Sequence, residues 1–193
     1  MNALLDLASR LAAALNHASG AVIGTLARVL FAGVLFVYYW GSALTKTGDG
    51  LFGIFKLDTG VYIQMFPRAF ETAGYDPQNL GLYYKVVALL GTWAEFVLPV
   101  LIVIGLFTRL AALGMIGFVI VQTLTDVVFA AHASWGAWFD RTAEFDPTLS
   151  GVGLIDTRGF WIFTLLVLVM KGPGPLSVDA LLFRRRAPEP LPA

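Results

Sequence analysis

The sequence predicts an all-α integral membrane protein, a four-helix bundle, and three observations carry the prediction. Of 193 residues, 58% are hydrophobic and only 13% charged, with a mean hydropathy of +0.75, too little polar surface to cover a water-soluble globule. Four apolar segments approach or reach the ~20 residues that cross a bilayer. Between them lie either a three-residue link or long stretches mixing aromatics with charge, the patterns of a helical hairpin and of interfacial caps.

In residues 1–17, Leu4, Leu7, Leu11 and Leu15 recur at helical spacing, with Asp6, Arg10 and His17 elsewhere on the wheel. That reads as a helix lying on the inner membrane surface. A cleaved signal is the weaker reading, because Asp6, Asn16 and His17 interrupt its apolar portion. The first span follows over 24–44. Residues 45–81 interleave Leu51, Phe52, Phe55, Tyr62 and Phe66 with charges, so this segment is expected in an outer cap, with Pro67 starting a short helix that ends at Gly74.

The second span covers 82–106 and the third 110–131. Only Phe107, Thr108 and Arg109 separate them, which fits a tight antiparallel hairpin. The fourth span, 153–170, is clean only from Phe160, and Asp156 and Arg158 belong at its interface. Residues 133–157 complete the outer cap. Trp135 and Trp138 there read as headgroup-belt residues more readily than as ligand-stacking ones. Ser177 is placed to cap a short interfacial helix through Phe183, and Arg184, Arg185 and Arg186 suit anionic lipid. Residues 1–186 thus form one transmembrane domain, and 187–193 a disordered Pro-rich tail. No internal repeat is visible.

An even number of spans puts both termini on one side, and the positive-inside rule assigns that side to the cytoplasm. Arg10, Arg28, Arg109, Lys171 and the three arginines 184–186 then crowd the inner helix ends. Lys46, Lys56, Arg68, Lys85, Arg141 and Arg158 spread over the longer outer loops. The bias lies more in placement than in number.

Glu95 is the most informative residue. A carboxylate near the bilayer centre costs roughly 2.5–3.5 kcal/mol on insertion scales, so it should face protein or water and find a partner. Pro99 lies one turn on and has no N–H for the Glu95 carbonyl. At 1.5 Å per residue Arg28 lies about 9 Å to the inner side of the first span's middle. Two readings of Arg28 stay open: it pairs with Glu95, or it reaches the inner headgroups. Asp126 lies about 8 Å to the outer side of the third span's middle, one turn from Gln122, with Thr123 and Thr125 extending the polar face. Lys46 and Lys85 are the cations available to it. A structural hydrogen-bond network and a binding site explain this stretch equally. Gly114 and Gly117 are expected to admit close helix packing.

Several chemistries are excluded. A net charge of zero and a pI near 6.7 argue against nucleic acid. The absence of cysteine excludes disulfides, thiol redox chemistry and Cys-ligated clusters, and leaves the compartment open. His17 and His132 fall on opposite sides of the membrane, so they do not ligate one haem. No metal motif and no glycine-rich nucleotide loop is present. Any electron carrier would be a partner or a diffusible quinone.

Three blocks, in order, carry a family resemblance: RVLFAGVLF from Arg28 with Lys46 closing the segment, the Glu95 helix running into GLFTRLAA, and KGPGPLSVD ending at Asp179. Over about residues 24–182 the chain resembles the DoxX family of small four-helix bacterial membrane proteins. The resemblance implies a bacterial inner-membrane location. Some members are linked to quinone-dependent thiosulfate oxidation, others to complexes that resist oxidative stress or to metal-stress operons, and most have no established activity.

The expected function is therefore that of a non-catalytic accessory subunit of a redox or stress-response membrane complex. Its partners would be the bilayer, redox-enzyme subunits or a second copy, and its only cofactor a diffusible quinone. Glu95 and Asp126 would address the ring oxygens, and Trp93 would be among the apolar walls. An alternative is a small transporter or solute-binding protein in which Arg28 and Glu95 gate a midplane site, against which the lack of an inverted repeat weighs. A membrane anchor for a soluble partner is a third reading.

Overall fold

The computed structural model describes residues 2–48, 53–125 and 157–182. These are almost entirely helical, with one isolated bridge between Thr47 and Leu57. Helix α1, Asn2–Phe31, passes through a π-helical turn, Ala32–Phe36, into α2, Val37–Leu44, without a break. The surface helix expected over residues 1–17 is therefore no separate element but the first part of α1. Gly20 and Gly24 each weaken a helix by only about 1 kcal/mol relative to alanine, and no proline intervenes.

The π turn serves the packing. The buried residues Ala27, Phe31, Leu35, Tyr39 and Ala43 step by four, and four α-helical residues overshoot a full turn by about 40°. A wider turn in mid-helix rotates the stripe back, so Ala27, Phe31, Leu35 and Tyr39 share one core and Ala43 continues the buried stripe toward Lys46.

Beyond it, a 3₁₀ turn at Gly53–Phe55, α3 at Gly60–Met65, α4 at Pro67–Thr72 and a second 3₁₀ turn at Pro77–Asn79 form a small folded unit. Val61, Tyr62, Phe70 and Leu80 pack there against Ala88 of α5, Leu82–Ile104. Pro67 does start a helix, and the chain leaves it through Gly74 at φ +69° and Tyr75 at φ +59°.

Helix α5 ends at Ile104, two residues before the expected boundary, in a left-handed Gly105 at φ +75°, and α6, Thr108–Leu124, follows at once. The tight hairpin is thus realised. Helix α7, Thr157–Lys171, packs on α1 and α6. The main core joins Phe31, Leu35 and Tyr39 to Ile102 of α5, Met115 and Val119 of α6, and Leu165 and Leu168 of α7. Gly114 lies beside Leu98 of α5, as expected, but Gly117 is exposed, with open space where a Cβ would stand. The third span's end, the start of the fourth, the 133–157 segment and the tail lie outside the described residues.

Large apolar side chains cover the outside of these helices: Leu26, Val29 and Leu30 on α1, Leu90 and Val97 on α5, Leu113 on α6, Phe163 on α7. Two stretches, Val22–Leu44 and Leu82–Ile104, are long and apolar enough to cross a membrane, and α6 is apolar but shorter. An apolar exterior of this kind matches lipid, not water.

Candidate functional site

Helix α5 buries Ala88, Thr92, Glu95, Pro99 and Ile102, steps of four and three that mark one continuous face. Glu95 is therefore a core residue by position. Facing it is Lys46, just past the end of α2. The Lys46 N–H donates to Ala43 at 3.1 Å and its carbonyl accepts from Asp58 at 3.0 Å. With the backbone pinned this way, the side chain runs back along α2 into the protein.

The Lys46 ammonium donates to both Glu95 oxygens, Oε1 at 2.5 Å and Oε2 at 2.7 Å, and to the Ser42 hydroxyl at 2.9 Å. All three ammonium protons are used. The side chains are only 5% and 3% exposed. Attraction in so dry a setting is strong, but it mostly offsets the desolvation of both ions, and apolar residues would stabilise the same space as well or better.

A cavity of about 50 Å³ opens beside the pair, with Gln64 of α3 and Gln122 of α6 on its wall. Gln122 accepts from the Tyr39 hydroxyl at 3.2 Å and its amide donates to the Tyr38 hydroxyl at 3.5 Å. Close by, Arg158 donates to the Thr123 hydroxyl at 3.0 Å. Lys46, Glu95 and Gln122 thus converge, whereas the sequence offers Lys46 to Asp126 and Arg28 to Glu95. Thr125 also lines the cavity and is the last described residue before Asp126, which lies outside the described residues. Lys85 donates to the Gln78 carbonyl at 3.4 Å. Gln64 was not foreseen, since it is one polar residue among aromatics in a loop of unknown path.

Trp93 is elsewhere. Its indole N–H donates to the Ile54 carbonyl at 2.8 Å and its ring meets Phe55 edge-on at 5.3 Å, so it pins the 53–55 turn to α5 and does not wall the Glu95 cavity.

Arg28 is not the partner of Glu95. Its guanidinium donates to the carbonyls of Ile102 at 3.1 Å and Val103 at 2.7 Å, at the end of α5, and to Pro173 at 3.1 Å and Leu176 beyond α7. Helix ends leave carbonyls without partners, and a cation suits the negative end of the helix dipole. A planar fork of five donors reaches several at once. Next to it, Asp179, in the short helix α8 at Val178–Leu182, accepts from the N–H groups of Phe107 at 2.7 Å and Thr108 at 2.8 Å, capping α6 from 71 residues away. Ser177 caps α8 itself through the Ala180 N–H at 3.1 Å. The KGPGPLSVD block is thus a structural knot. Gly172 and Gly174 at φ +82° and +78° turn the chain back onto the α5–α6 hairpin.

Among the described residues no cluster of His, Asp and Glu is arranged to hold a metal ion. The family model for DoxX matches residues 23–133, more than half the chain and inclusive of Arg28, Lys46, Glu95 and Gln122. No curated protein and no solved structure is similar enough to be matched with it. The chain belongs to the DoxX family and is a membrane protein.

Proposed function

We propose that this DoxX-family protein is a multi-pass subunit of a bacterial inner-membrane redox or stress-response complex that binds a diffusible quinone and performs no chemistry alone. Four spans, contributed by α1–α2, α5, α6 and α7, cross the bilayer as a bundle. Both termini are cytoplasmic. Arg28, Arg109 and Lys171 gather at the α5–α6 hairpin end, whereas Lys46, Lys56, Arg68 and Lys85 lie toward the other, and this division supports the orientation. The unit formed by residues 53–79 caps the outer face.

The observation that carries the reading is the Lys46–Glu95 pair beside a cavity with two glutamine side chains on its wall. An ion pair adds little net stability to an apolar core, while it places a positive charge and an acceptor beside a ligand oxygen whose protonation changes. The ammonium stabilises a carbonyl or phenolate oxygen, and Glu95 accepts from a hydroxyl. Removing the Glu95 charge, with affinity compared in folded protein only, tests this. In nanodiscs, decylubiquinone should bind the wild type saturably and bind Glu95→Gln at least about tenfold more weakly. Equal affinity for both would reject the site.

A further inference from the structure

A second cavity, of about 400 Å³, adjoins the first. Phe66, Arg68, Tyr83, Tyr84 and Val87 are on its wall, and it shares Met65, Val121 and Thr125 with the cavity beside Lys46–Glu95. The two chambers differ in chemistry and in size. The smaller has the ion pair and two glutamines but room for only a few water-sized groups. The larger is mainly apolar and aromatic, in the size range of small-molecule sites. Phe66 and Tyr84 there meet edge-on at 5.0 Å, and Tyr83 and Tyr84 at 5.4 Å, a wall suited to a flat ring.

Met65 stands at the junction of the chambers, as the last residue of α3. Its methyl group rests against Gly91 of α5, where a Cβ would lie 2.6 Å from Cε. Gly91 is thus the seat of this side chain. Methionine has an unbranched chain with three rotatable bonds and changes rotamer at small cost. Val121 of α6 and Thr125 just past its end are β-branched, with restricted χ1, and yield less easily.

We propose that the larger cavity, between α4 and the start of α5, is the portal and ring site for the ligand, and that Met65 is the gate to Lys46–Glu95. The ligand is an aromatic or quinonoid ring with hydrogen-bonding oxygens and an apolar tail. Only an oxygen passes Met65 to the pair; the ring stays among Phe66, Tyr83 and Tyr84. This rests on the quinone-binding reading above and adds the route and the division of the ligand between chambers.

Stopped-flow binding of decylubiquinone to the protein in nanodiscs tests it. Met65→Ala opens the gate, so association and dissociation should both accelerate at least about fivefold while affinity changes little. Met65→Trp should slow association by about tenfold or more, and Gly91→Ala, which displaces Met65 from its seat, should change both rates. Leu113→Ala, exposed on α6 and on the wall of neither cavity, controls for folding and should bind like the wild type. If Met65→Ala and Met65→Trp leave both rates at wild-type values while Glu95→Gln abolishes binding, the portal is overturned and the quinone site stands. If Glu95→Gln binds as the wild type does, or the wild type binds no quinone, both fall.

Discussion

Lys46 and Glu95, 49 positions apart, meet in the interior with the ammonium 2.5 and 2.7 Å from the two carboxylate oxygens. The pair joins the end of α2 to the middle of α5, and the two partners respond differently to single and double replacement.

Removing either charge alone strands the other in a dry core. Glu95→Leu or Lys46→Met should each cost about 3–5 kcal/mol, whereas the double variant should recover most of that. Thermal unfolding in detergent across the four-protein cycle reads it out. Additive losses would mean that the two charges are not coupled.

The hairpin knot should be purely structural. Asp179→Ala, which uncaps Phe107 and Thr108, should lower stability by about 1–2 kcal/mol. Arg28→Lys should do little better than Arg28→Met, because one ammonium cannot replace a fork serving four carbonyls. Neither should alter decylubiquinone affinity in protein that remains folded. A change in affinity at unchanged stability would place Arg28 in the binding site.

Glycines in the α5–α6 hairpin should divide sharply. Gly105 has φ +75°, and a Cβ there would overlap Ser177 and crowd the Arg28 guanidinium. Gly105→Ala should therefore cost more than about 1 kcal/mol, while Gly117→Ala, with open space around it, should be neutral or slightly stabilising through helix propensity. Unfolding temperatures of the two variants check this directly.

Fusions at both termini should report a cytoplasmic location: fluorescent with green fluorescent protein, inactive with alkaline phosphatase. An active phosphatase at one end would require an odd number of spans and contradict the four-span bundle.

Much of this was legible in the sequence, for physical reasons. Glu95 shows as an inward residue through the cost of a carboxylate in an apolar span, and the α5–α6 turn in the three residues between spans. Pro67, Gly74 and Ser177 act where their backbone chemistry says they should. Partner identities were less visible. Depth alone offered Arg28 to Glu95 or to the inner headgroups, because distance from the bilayer centre ignores the carbonyls freed at the end of α5. Lys46 lies past its helix and reads as an interfacial cation. Only the π turn and the pinned turn after α2 show that its side chain runs inward. The Asp179 cap joins segments 71 residues apart, beyond the reach of any local pattern.

The most direct measurement is native mass spectrometry of the protein released gently from its own membrane, wild type beside the Lys46→Met, Glu95→Leu double variant. A quinone retained by the wild type and lost from an equally folded double variant is the expected result. A wild type carrying only bulk lipid, or a double variant that keeps the same quinone, would contradict the assignment of this pair to ligand binding.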